Sequence, residues 1–151
     1  MQWLINGQQF RMERALFEVR QNVTEVWEID NAVGSMPHPM HIHGFLFQVR
    51  ERRKSPRQAQ ALAVDGKGRL PTDLGWKNTV LVWPGETVKI VLNFAHAFAG
   101  DQTSVMHCHI LEHEDAGMMA NYRVVEESIR PPLRCTSPAL APKTRACTSP
   151  P

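Results

Sequence analysis

No apolar run in the sequence approaches the ~20 residues of a membrane-spanning helix, and Met1 is followed by Gln-Trp-Leu rather than by a basic segment and a sustained apolar stretch. Neither a spanning segment nor a secretory leader is visible, and the chain as given reads as soluble, without a targeting address. Neither sign of charge is in excess. The 17 basic and 15 acidic residues leave a net charge of +2, too balanced for a chain devoted to phosphate backbones or an anionic membrane. No nucleic-acid or membrane partner is expected. Cysteine is scarce, at three residues, and no CxxC pair occurs. That excludes a disulfide framework and makes zinc a poor fit, since structural zinc sites use four strong ligands, commonly with such pairs. At 151 residues, 42% of them hydrophobic, the chain suits one domain with its own core and is too short for two ordinary ones.

What is present is a succession of short β-prone runs punctuated by turns: "WLING", "FEVRQNVTEVWEID", "GFLFQVRER", "NTVLVWPGETVKIVLNF" with a Pro-Gly turn inside it, "SVMHCHI" and "ANYRVVEE". About seven strands are expected, which favours a β-sandwich or small barrel. Only "SPRQAQALAV" and the stretch around "LEHEDA" suit helices, and both are short. Residues 1–128 are expected to fold. From Ile129 the composition turns to Pro, Ser, Thr and Ala, with CTSP occurring twice. Residues 129–151 are expected to be disordered, or the remnant of an expression vector or an altered reading frame.

The chemistry is concentrated in two segments, "HPMHIHG" (38–44) and "MHCHILEHEDAGMM" (106–119), which hold six of the seven histidines. A lone histidine is usually structural, but independent structural histidines scatter through a chain. If "VMHCHI" is a strand, its side chains alternate: His107 and His109 share one face and Cys108 takes the other, so one strand serves two sites. His41 and His43 repeat the device. His38 precedes them across Pro39, which is not expected inside a central ladder. Cys108, His38, His113 and a methionine five residues beyond His113 form a soft two-His, one-Cys set with a weak axial thioether, the donor set of an electron-transfer copper site. A cupin-type HxH site would want a Glu four or five residues after the second His, where Phe47 and Gln48 stand. Blander readings suit the rest. His96 is expected to be structural or exposed, the "RERRK" run (50–54) a solvated strand end, Met36, Met40 and Met106 gap-fillers, and Trp3, Trp27, Trp76 and Trp83 core residues.

"HPMHIHG" together with "HCHILEHEDAGMM" resembles the C-terminal type 1 copper domain of multicopper oxidases, the laccase and cuprous-oxidase family. The likeness spans roughly residues 3–126. It implies an all-β, cupredoxin-like Greek-key sandwich (plastocyanin-like) with one or two short helices, and copper as cofactor. His38, Cys108 and His113 would bind the type 1 copper with Met118 as axial ligand, Met119 being the competing candidate. His41 would bind the type 2 copper, and His43, His107 and His109 the type 3 pair. A small reducing substrate, phenol-like or a metal ion, would give single electrons that Cys108 passes toward the histidines, where dioxygen is reduced to water. Glu114 matches the acidic residue that delivers protons in similar bacterial enzymes; with Glu112 and Asp115 it could equally cap or solvate a short helix.

The resemblance also implies a shortfall. A complete trinuclear cluster takes eight histidines, and this chain offers four, His41, His43, His107 and His109. The chain alone is therefore expected to be incomplete as an oxidase, needing an N-terminal cupredoxin domain, a partner subunit or a second identical chain; a separated C-terminal domain is the favoured reading. The alternative is a mononuclear type 1 electron-transfer module without oxidase activity. Since relatives are mostly exported, a periplasmic or extracellular parent is expected.

Overall fold

The computed structural model describes residues 3–126. The expected tail, with Cys135 and Cys147, lies outside the described residues. Eight strands are present: β1 (Ala15–Arg20), β2 (Thr24–Asp30), β3 (His38–Ile42), β4 (Phe47–Arg53), β5 (Thr79–Val82), β6 (Thr87–Asn93), β7 (Gln102–Cys108) and β8 (Met119–Val125). Two short helices, α1 (Arg57–Gln60) and α2 (Leu111–Asp115), fall where the sequence suggested them. The strands form a five-stranded sheet in the order β1-β8-β7-β3-β5 and a three-stranded sheet in the order β2-β6-β4. This is the all-β sandwich expected. Val49, Val88, Ile90 and Leu92 of the smaller sheet and Met40, Met106, Cys108 and Tyr122 of the larger share one buried core. No helix among the described residues is long and apolar enough to cross a membrane.

The strand count departs from expectation for local reasons. "WLING" is too short of pairing to be a strand; it makes only a bridge between Ile5 and Gln8 around Asn6 and Gly7, both at positive φ. "FEVRQNVTEVWEID" is two strands, because Asn22 at φ 62° turns the chain and sends β1 and β2 to different sheets. Pro39 does lie in an interior strand, contrary to expectation, since β3 sits between β7 and β5. Backbone groups of one residue point the same way in an antiparallel ladder. The Pro39 carbonyl accepts from the His109 N–H at 2.7 Å, so its nitrogen faces β7 just past the end of that strand at Cys108. The missing N–H thus costs no ladder bond.

The "RERRK" run is not uniformly solvated either. A register shift between Val49 and Glu51 reverses the alternation of β4 and turns Arg52 inward, where it is 6% exposed. Its guanidinium holds Asp73 through two bonds of 2.6 and 2.8 Å and Glu86 through one of 3.0 Å, while Ser55 donates to the other Glu86 oxygen at 2.6 Å. This network ties the long 54–78 connection to the β5–β6 turn. That turn is the expected Pro-Gly one: Glu86 N–H bonds Trp83 O at 3.0 Å, and Gly85 at φ 75° takes the left-handed position. Of the four tryptophans expected in the core, Trp76 is 63% exposed on that connection, and Trp3 has another place, described below.

Candidate metal centre

Alternation along β3 and β7 sorts the metal-ligating residues onto the two faces of one sheet. The register pairs Met40 with Cys108 and His41 with His107. Cys108, Met40 and His38 therefore face the core, and His41, His43 and His107 face the other way.

On the core face, Cys108 Sγ lies 3.5 Å from His38 Nδ1 and 3.4 Å from His113 Nδ1, and the two nitrogens are 3.2 Å apart. All three residues are buried. His113 is brought in by α2, whose C-terminus is closed by Gly117 at φ 91°. That closure places Met118, whose N–H bonds His113 O at 2.8 Å and whose carbonyl accepts from Cys108 N–H at 3.0 Å. The register pairs Met119 with His107 and so assigns Met119 to the histidine face; Met118, one residue earlier, packs against the core. Ser35 Oγ stands 2.8 Å from His38 Nε2 and can accept its proton, leaving the Nδ1 lone pair aimed at the other two donors. The centre of the triangle formed by the two nitrogens and the sulfur lies roughly 2 Å from each corner, the length of a metal–nitrogen bond. The donor set therefore fits a single soft or borderline cation. A cavity of ≈ 400 Å³ runs beside it, lined among others by His38, Trp27, Met40, Met106 and Met118.

On the opposite face, the ligand atoms of His41, His43 and His107 lie within 4.8 Å of one another. His43 Nε2 and His107 Nε2 are 3.0 Å apart. His109 stands beside this set, its ring 5.4 Å from those of His41 and His107, but exposed and outside the tight group. The protons on two rings are fixed by their neighbours. Thr79 hydroxyl donates to Asn78 Oδ1 at 3.0 Å, so it accepts from His41 Nδ1 at 2.7 Å and leaves Nε2 free. His107 Nδ1 faces two acceptors, Cys108 O at 3.1 Å and Glu114 Oε2 at 3.2 Å, so it carries the proton and presents Nε2 outward from them. A carboxylate or carbonyl behind a ligating imidazole is the usual means of orienting one.

Burial pushes the His38 imidazole below its ordinary value, and His113 beside it adds to the shift. His41 and His43 are lowered in the same way, by burial first and then by their neighbouring rings. Burial pushes the Cys108 thiol up. A metal ion would therefore displace a thiol proton but meet imidazoles already free of theirs. The unfolded chain protonates these rings near 6.5, while the fold holds them neutral to lower pH. Stability of the metal-free domain is thus fully present above about pH 6.5 and falls below it, before carboxylates titrate. Urea midpoints that stay level or rise between neutral pH and about pH 5 would contradict this.

Sequence reasoning missed Trp3, Ser35 and Thr79. Ser35 is local to His38, but Thr79 reaches His41 only through the β3–β5 pairing, and no periodicity signals it.

An all-β sandwich with a buried two-His, one-Cys set, drawn from two paired strands and the short helix that follows them, is the architecture of a cupredoxin-type copper domain. The multicopper oxidase family model matches residues 1–128, and the chain belongs to that family, whose cofactor is copper. It is 40% identical over 124 residues to a multicopper oxidase of Staphylococcus haemolyticus, covering 80% of this chain and 24% of that protein. It is 37% identical over 125 residues to a laccase of Haloferax volcanii, covering 83% of this chain and 19% of the laccase. Among solved structures it resembles the McoA multicopper oxidase of Aquifex aeolicus, with a TM-score of 0.66 and 42% identity over 80% of this chain and 26% of that one. The chain thus spans about a quarter or less of the length of these relatives.

Proposed function

We propose that this chain is the type 1 copper domain of a laccase-like multicopper oxidase and supplies half of its trinuclear site. The observation that carries this reading is the pairing of a buried Cys108–His38–His113 triangle with four imidazoles on the reverse face of the same two strands. His38, Cys108, His113 and axial Met118 would hold the type 1 copper, His41 the type 2 copper, and His43, His107 and His109 the type 3 pair. Copper supplies one-electron redox chemistry at the first site and the reduction of dioxygen to water at the second.

The residues divide the remaining work. Burial keeps Cys108 and both imidazoles in one arrangement, which favours electron transfer over ligand exchange. Cys108 shares a peptide bond with each of His107 and His109, giving the electron from a small reducing substrate a covalent path across the sheet. Glu114 accepts from His107 Nδ1 at 3.2 Å while remaining half-exposed, the placement of a carboxylate that would relay protons from solvent. The other four histidines would come from a further cupredoxin domain, on a longer polypeptide or a partner subunit; relatives several times the length of this chain support that view. A periplasmic or extracellular setting suits the enzyme so read.

The test is copper stoichiometry per chain after anaerobic reconstitution, with visible spectrum, oligomer mass and oxygen uptake on the same sample. One blue copper in a monomer that consumes no oxygen is expected. More than one in an oxygen-consuming oligomer would mean that identical chains complete the cluster, and a colourless protein would overturn the ligand assignment.

A further inference from the structure

Both imidazoles of the buried donor set are covered by one indole. The Trp3 ring lies 4.0 Å from that of His113, tilted by 36°, and meets His38 nearly edge-on at 5.3 Å and 78°. The two imidazoles are only 4% and 2% exposed, whereas Trp3 is half-buried. Its chain neighbour Leu4 and Leu111, two residues ahead of His113, are exposed apolar side chains. A solute approaching His113 from this side meets the indole before it meets the imidazole.

We propose that Trp3 is the electron port of the buried site, stacking planar aromatic one-electron donors on its outer face and conducting their electron through the ring contact to His113. The inference rests on the copper reading given above. In each transfer a hydroquinone-type donor loses one electron and releases one phenolic proton to solvent, and the cupric ion held by His38, Cys108 and His113 becomes cuprous. The indole is a tunnelling contact and is not itself oxidised. Aromatic rings stack offset or tilted on one another and gain more than their buried area alone provides. An ionic inorganic donor gains nothing from the same face. Trp3 is thus a residue that sets donor selectivity, not a copper ligand.

The test uses the copper-loaded chain under anaerobic conditions. Bleaching of the blue absorbance by hydroquinone and by ferrocyanide is followed in the wild type, Trp3→Phe and Trp3→Leu. The ratio of hydroquinone to ferrocyanide rates is expected to fall about three- to tenfold in Trp3→Leu, the worth of one aromatic contact, and to be largely kept in Trp3→Phe. Tryptophan emission is a readout independent of turnover. Copper binding is expected to quench the wild type strongly and to quench Trp3→Phe much less. The inference is overturned by an unchanged ratio in Trp3→Leu, by loss of copper binding in that variant, or by a ratio that responds instead to Trp27→Phe in the cavity beside His38. A wild-type chain that never turns blue would overturn the copper assignment and this inference together; a blue chain with unaltered selectivity would overturn this inference alone.

Discussion

Replacing Cys108 with serine is expected to abolish the blue absorbance entirely and to weaken copper binding at the core-face site by more than about a hundredfold, beyond the loss typical of removing a group that only orients a ligand. Serine is close to isosteric, so the site keeps its shape while losing its one anionic donor. The alcohol does not ionise in a pocket where burial already pushes the thiol above its usual 9.0. The hydroxyl keeps hydrogen-bond partners in His38 and His113, whose Nδ1 atoms surround the position, so little stability should be lost. Visible spectra and metal analysis, with urea unfolding as control, measure all three quantities. An undiminished blue band in the serine variant would rule out Cys108 as the ligand. Copper retained without colour at His41, His43 and His107 is the expected remainder.

Arg52→Met is expected to destabilise the domain by about 3–5 kcal/mol, because it strands two buried carboxylates that now share one guanidinium. Asp73 is 1% exposed and Glu86 is fully buried. Breaking a buried pair costs far more than replacing it whole. The triple variant Arg52→Met, Asp73→Asn, Glu86→Gln should therefore recover most of the loss. The Asp73→Asn oxygen can still accept from Leu70 N–H and the Glu86→Gln oxygen from Trp83 N–H, as the carboxylates do now, while the new amide NH2 at position 86 can donate to Ser55 Oγ. Urea midpoints of the wild type, single and triple variants decide the matter. A single variant within about 1 kcal/mol of wild type would show that the buried network adds little to stability.

Much of the centre was legible because a strand has a period of two. The quoted "MHCHI" already separates Cys108 from His107 and His109, and the fold keeps them on opposite faces. Spacing favoured Met118 over Met119 as the axial candidate, and the β7–β8 register pairs Met119 with His107. What local pattern could not supply was parity beyond an irregularity. The bulge in β4 turns Arg52 inward where simple charge reading left it in solvent. Pro39 was misjudged because the rule against proline in a ladder concerns its nitrogen, and here that nitrogen points past the end of β7. Trp3 was unreadable in principle, since its contacts with His38 and His113 depend on how the chain start packs over α2, and a tryptophan's type alone favours the core.

The alternation in β7 makes chain length, as well as residue identity, a determinant of the centre. A single residue inserted ahead of His107 would leave every ligand present, yet rotate Cys108 toward the histidine face and His107 toward the core. Neither donor set would survive, because they share one pleat. The 54–78 connection carries no such phase, and between its anchors at Lys67, Asp73, Lys77 and Asn78 it can lengthen or shorten without moving a ligand. Variation in length is thus free to accumulate there, while within "VMHCHI" an insertion or deletion is lethal to both halves of the chemistry at once.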